Sequence, residues 1–167
     1  MSSMRRSVST SSGRAAILAA LFLFALAACL GGAEPLRAEM RKDLLKLITA
    51  SGEHAFTVEV ADTPDQKARG LMFRRSLADN AGMIFPYEPP QEATMWMRNT
   101  YISLDMVFIR ADGIVHRIEA GTEPFSEAVI ASNGDVLAVL ELKAGIARKI
   151  QLKSGDKVIH ALFTKKK

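Results

Sequence analysis

The residues best suited to chemistry gather between positions 95 and 105. Met95-Trp96-Met97 is followed by Arg98, Asn99, Thr100, Ser103 and Asp105. Asp105 stands between Leu104 and Met106 in an apolar strand pattern, and Glu141 stands likewise between Leu140 and Leu142. A carboxylate buried in such a strand is costly unless it is paired. Arg74, Arg75 or the backbone N–H groups of the Asn99-Thr100 turn could serve as partners. Asp105 could equally satisfy backbone donors and lock a turn, because buried polar groups are usually satisfied for structural reasons. Two strand carboxylates about 5–9 Å apart can share acid/base work. Asp105 with Glu141 or Arg75 therefore defines a hydrolase-like alternative.

Trp96 offers a flat surface on which a ring or a sugar can stack. Met95 and Met97 are soft thioether donors, so with a histidine they define a periplasmic metal-carrier alternative. Methionine also fills irregular cores, which is the simpler use for most of the eight in this chain. His54, His116 and His160 fall in separate predicted strands or turns, and only tertiary folding could bring them together. No nucleophile elbow, phosphate loop, zinc-protease helix or dinucleotide fingerprint is present. The candidate ligand-binding set is Arg75, Trp96, Arg98, Asn99, Thr100, Asp105 and Glu141. No catalytic residue, resident metal or cofactor is assigned.

These residues must be positioned by a mostly β chain. Leu44–Ile48 and Phe56–Val60 flank the turn residues Ser51-Gly52-Glu53 and predict a hairpin. Thr63-Pro64-Asp65-Gln66 is a capping box, so a two-turn helix is expected over 64–69, stopped by Gly70. Met83-Ile84-Phe85 reads as a short strand stopped by Pro86, Pro89 and Pro90. Residues 94–110 form the strongest strand signal. Ile102, Leu104, Met106 and Phe108 share one face; Ser103, Asp105, Val107 and Ile109 share the other. Asp112-Gly113 turns the chain into a strand at 114–119. Asn133-Gly134-Asp135 marks a turn before Val136–Leu142, residues 144–149 form a helical turn, and Val158–Phe163 is the last strand. The expected fold is mostly β (α+β): a compact antiparallel sandwich or barrel-like sheet with one or two short helices.

The N-terminus reads as an export signal. Arg5, Arg6 and Arg14 precede an apolar run from Ala15 to Leu30, shorter than a membrane span and ending in small residues. Leu26-Ala27-Ala28-Cys29 is similar to a bacterial lipobox, in which the cysteine is acylated and becomes the first residue. A soluble product cut after Ala33 or Ala38 is the competing reading. The expected organisation is a signal peptide over 1–28, a linker over 29–41, one β-rich domain over 42–163 and a basic tail over 164–167.

The 167 residues are enough for one domain, and 49% hydrophobic with 24% charged residues excludes a disordered chain. A single cysteine excludes an internal disulfide. The net charge of +4 comes from the leader arginines and the terminal lysines, so nucleic acid is not an expected partner.

One resemblance covers residues 56–160. Gly70-Leu71-Met72-x-Arg74, Gly82-Met83-x-Phe85, Met95-Trp96-Met97-x-Asn99-Thr100, Ile102-x-Leu104-Asp105, Asp112-Gly113, Leu140-Glu141-Leu142 and Gly155-Asp156 carry it. The chain resembles the family called domain of unknown function 192. The resemblance implies a small, mostly β, often exported protein and supplies no mechanism. Lys143 and Lys149 depart from the family's usual Asn and Gly. The reading that follows is an exported cell-envelope protein, periplasmic and either soluble or lipid-anchored to a membrane. It binds a small polar ligand or an envelope protein and is not catalytic.

Overall fold

The computed structural model describes residues 40–164; the expected signal segment, Cys29 and the last three lysines lie outside them. Ten elements follow in order: β1 (Lys42–Thr49), β2 (Gly52–Val60), α1 (Pro64–Arg69), β3 (Ala81–Met95), β4 (Leu104–Ile109), β5 (Val115–Glu119), β6 (Ile130–Lys143), α2 (Ile146–Lys149), β7 (Lys157–Ile159) and α3 (Ala161–Thr164). The strands form one sheet in the order β5-β4-β6-β3-β2-β1-β7. It curls into a half-barrel. An isolated bridge between Ile114 and Lys157 ties the two edges together, which leaves less free strand edge for wrong pairing.

The expected β1–β2 hairpin forms with Thr49 opposite Gly52. The pairing is antiparallel throughout except between β2 and β3, which run parallel. That pair needs a crossover, and α1 with its following loop supplies it. The expected capping box forms: the Thr63 hydroxyl accepts from the Gln66 N–H at 3.2 Å, and the Gln66 side chain accepts from the Thr63 N–H at 3.0 Å.

Four expectations change. The prolines do not end β3. Pro86 pairs with Ala138 and the next pair is Gln91 with Val136, so the proline-bearing residues bulge out and the strand resumes beyond them. The Asn133-Gly134 step is likewise an irregularity within one long β6, with Asn133 at φ 57° and Gly134 at φ 149°. The run 94–110 is broken, because residues 96–103 turn around Asn99, at φ 54°, before β4 begins. The last strand stops at Ile159, and residues 161–164 form α3.

Each face of the sheet buries its own apolar cluster. Leu45, Leu47, Phe56, Val58, Ile84, Val107, Ile109, Ala138, Leu140, Leu142 and Val158 fill the concave side, with Ile146 and Ile150 closing it. Leu71, Met83, Phe85, Met97, Leu104, Met106, Phe108 and Val139 form the second cluster, on the outer face. All six residues of β4 are buried, so the expected division of its two faces is also a division between the two clusters. Gly82 allows β3 and β6 to approach, since a Cβ there would lie 2.7 Å from the Glu141 carbonyl oxygen. Lys143 and Lys149 both bind Asp79, at 2.8 and 3.2 Å, so the two departures from the family pattern share one acidic partner.

Candidate functional site

Glu141 defines the site. Residues paired directly across a sheet share a face. Glu59 pairs with Met83, Met83 with Glu141, Glu141 with Met106 and Met106 with Glu119, which makes one row across the outer face of β2, β3, β6, β4 and β5. Glu141 is 4% exposed, and no hydrogen bond from the described residues reaches its Oε2. Burial pushes its carboxyl up to about 8, against the pull of the nearby Arg74 charge. Arg74 cannot do more, because Glu59 holds it in a two-point ion pair at 2.6 and 2.7 Å. Glu141 is therefore mostly a neutral acid at neutral pH, able to donate a proton to a hydrogen bond.

Above Glu141 lies a cleft of about 280 Å³. One wall is α1 and its end, with Lys67, Arg69, Gly70 and Leu71; the others bring Phe85, Tyr87, Met95, Trp96 and Thr100. Gly70, at φ 48°, lets the helix end pass over Phe85: a Cβ there would lie 3.2 Å from the ring. Lys67 donates to the Pro86 carbonyl and sits 5.3 Å from the centre of the Tyr87 ring. Tyr87 donates to Met95 Sδ at 3.5 Å. Burial, and then the Glu141 charge, raises the Tyr87 pKa, so its hydroxyl stays protonated. Trp96 is 48% exposed, with the Arg98 guanidinium 5.0 Å from its ring. Arg98 is held by Glu127 at 3.0 Å.

An exposed aromatic cluster adjoins the lining residues Arg69 and Thr100 in the chain and in contact. Phe73, Tyr101 and Phe125 are exposed and touch one after another, with ring centres 6.2 and 5.2 Å apart. Phe73 and Phe125 have φ of 64° and 63°, an unfavourable region for bulky residues. Backbone bonds from Phe73 N–H to the Asn99 carbonyl and from Phe125 N–H to the Thr100 carbonyl hold them there.

Trp96, Thr100 and Glu141 line the cleft, and Arg98 packs on Trp96. Asn99 shapes the turn and is exposed. Arg75 is exposed and does not line the cleft; the arginine whose charge acts on Glu141 is Arg74. Asp105 is 1% exposed and accepts from the Gly121 N–H at 2.9 Å and the Ala147 N–H at 2.8 Å. Those bonds tie the loop after β5 and the start of α2 to β4. Asp105 pairs with Leu142 whereas Glu141 pairs with Met106, so the two carboxylates lie on opposite faces of the sheet. The Asp105–Glu141 acid/base pair is thereby excluded, and Arg75 reaches neither residue in a hydrogen bond or ion pair among the described residues.

The metal-carrier geometry does not form either. Met97 is fully buried and its Sδ accepts from the Thr122 hydroxyl at 3.1 Å, while no histidine lines the cleft beside Met95. No group of three His, Cys, Asp or Glu side chains gathers among the described residues. A second hollow, of about 340 Å³, holds His54, Asp79 and Lys149, but His54 is bonded to Ser51 and Lys149 to Asp79.

Sequence reasoning missed Lys67, Arg69 and Tyr87. The two cations stand in the last turn of α1, where basic residues are favoured by the helix dipole and so give no separate signal of a site. Tyr87 lies among prolines whose local signal is that of a strand end.

No curated protein matches the chain. Solved structures do, among them the following two. A Sinorhizobium meliloti 1021 protein described as a proposed transcription regulator is 42% identical, with a TM-score of 0.73, over 75% of this chain and 98% of that one. A protein of unknown function from Novosphingobium aromaticivorans DSM 12444 is 41% identical, with a TM-score of 0.72, over 76% and 90%. The profile of an uncharacterised family matches residues 46–160, so the chain belongs to the domain of unknown function 192 family (DUF192, "Uncharacterized ACR").

Proposed function

We propose that the chain is a non-catalytic binding module whose outer cleft receives a small polar ring compound such as a sugar. The observation that carries this reading is the buried, unpartnered Glu141 Oε2 below an exposed tryptophan. Buried polar atoms are almost always hydrogen-bonded, and a ligand hydroxyl or carbonyl would complete this one. Trp96 offers an indole face for stacking, and the cleft is near the lower end of small-ligand volumes, roughly 300 Å³. Binding rather than turnover fits because, among the described residues, Glu141 has no second free carboxyl beside it: Glu59 is engaged by Arg74 and Asp105 faces the other way.

The place of action belongs to the same proposal. The charged, apolar and small-residue order of positions 5–29 supports export to the periplasm, with Cys29 either acylated on a membrane or removed with the signal. An NMR titration of the full-length protein with a panel of monosaccharides tests the cleft. Saturable shifts at Trp96 and Thr100, lost in Glu141→Leu and weakened in Trp96→Ala, are expected. Shifts that survive Glu141→Leu unchanged would refute the assignment of the site.

A further inference from the structure

We infer that the ligand of this cleft is an anionic ring, a hydroxylated ring acid of the uronate kind. Its carboxylate would meet Lys67 and Arg69 while a ring oxygen takes the hydrogen bond at Glu141 Oε2. The inference rests on the reading of the cleft as a ring-binding site and adds the charge of what it binds.

The argument is charge complementarity. Among the cleft-lining residues Lys67 and Arg69 are the cations and Glu141 is the acid. Lys67 contacts the Pro86 carbonyl and the Tyr87 ring, and Arg69 lies 5.6 Å from the Phe73 ring centre. Neither is in an ion pair with a carboxylate among the described residues, whereas Arg41, Arg74, Arg98, Arg110 and Arg117 each are. The acid does not offset the two cations. Burial keeps Glu141 protonated, and Arg74, the cation that could draw its proton off, is held by Glu59. Tyr87 on β3 also stays neutral, and Glu119, the next acid in the row, lies beyond Met106 and is bonded to Arg117. The cleft thus presents two cations, neutral hydrogen-bonding groups and an aromatic wall. A cationic ring would be repelled at the α1 wall, and a neutral ring would leave both cations without an anionic partner.

The test titrates the full-length protein with D-glucuronate, D-glucose, D-glucosamine and acetate, followed by NMR shifts at the cleft. The expected order is glucuronate tightest, by about fivefold or more over glucose, with glucosamine and acetate weakest. Lys67→Met combined with Arg69→Met should abolish the preference, so that the variant binds glucuronate no more tightly than it binds glucose. Equal affinity for glucose and glucuronate would overturn the charge inference while leaving ring binding standing. Acetate binding as tightly as glucuronate would overturn it as well, because the ring would then not be recognised. If no ring compound shifts the cleft resonances, the ring-binding reading itself fails and the inference falls with it.

Discussion

Replacing Glu141 by Gln should make the protein more stable, by an amount that depends on pH. The wild-type carboxyl is pushed from 4.5 up to about 8 by burial. Between those values the folded chain holds a proton that the unfolded chain releases, so folding stability falls as pH rises through this window and levels off above it. At about 1.4 kcal/mol per unit, the loss amounts to roughly 3 kcal/mol at pH 7 and about 5 kcal/mol once the group is ionised in both states. The amide introduced by Glu141→Gln keeps the shape and cannot ionise. The two proteins should therefore be equally stable near pH 4 to 5 and diverge by roughly 3 kcal/mol at pH 7, the variant being the more stable. Urea unfolding of both proteins across this range, read by tryptophan fluorescence, measures the difference directly. A gap that stays constant with pH would show that Glu141 does not titrate anomalously. A variant that is less stable at neutral pH would show an ionised Glu141 held by Arg74, and the account of the cleft as lined by a neutral acid would be wrong. A gain in stability accompanied by altered ligand binding is the trade-off expected of a binding residue.

Asp105→Asn should destabilise by about 2–4 kcal/mol, because an amide cannot accept from both the Gly121 and Ala147 N–H groups; unchanged thermal melting would refute this structural role. Gly82→Ala should cost about 1–3 kcal/mol by forcing β3 away from the Glu141 carbonyl, and an unshifted denaturation midpoint would show that the strands can part freely. Thr63→Ala should lose about 1 kcal/mol with the capping box, and the lower melting point should leave the cleft's ligand shifts in place. Cys29→Ala should abolish palmitate labelling and release the protein into the soluble periplasmic fraction; an unlabelled, soluble wild type beginning at Glu34 or Glu39 would refute acylation.

The sequence by itself determined the local elements. A capping box, an Asp-Gly turn and alternating apolar residues act over a few positions, so α1, the β1–β2 hairpin and the two faces of β4 follow from them directly. The M-W-M-x-N-T run and its downstream Leu-Asp likewise identified the family from short-range pattern alone. Where local signals pointed two ways, the sheet decided. The prolines of β3 and the Asn-Gly of β6 are breakers in isolation, yet the long β3–β6 ladder carries both as bulges because the flanking residues bury enough apolar surface on both sides.

The site depended most on tertiary structure. Asp105 and Glu141 look alike in sequence, each a carboxylate between two apolar strand residues. A shift of one residue in the β4–β6 register decides that they face opposite ways, one onto backbone donors and the other into an open cleft. No one-dimensional pattern encodes that register, because it is set by which side chains two distant strands can bury together. The same holds for Lys67 and Arg69, whose part in the cleft comes from the positive-φ stop at Gly70 that lets the end of α1 pack against Phe85.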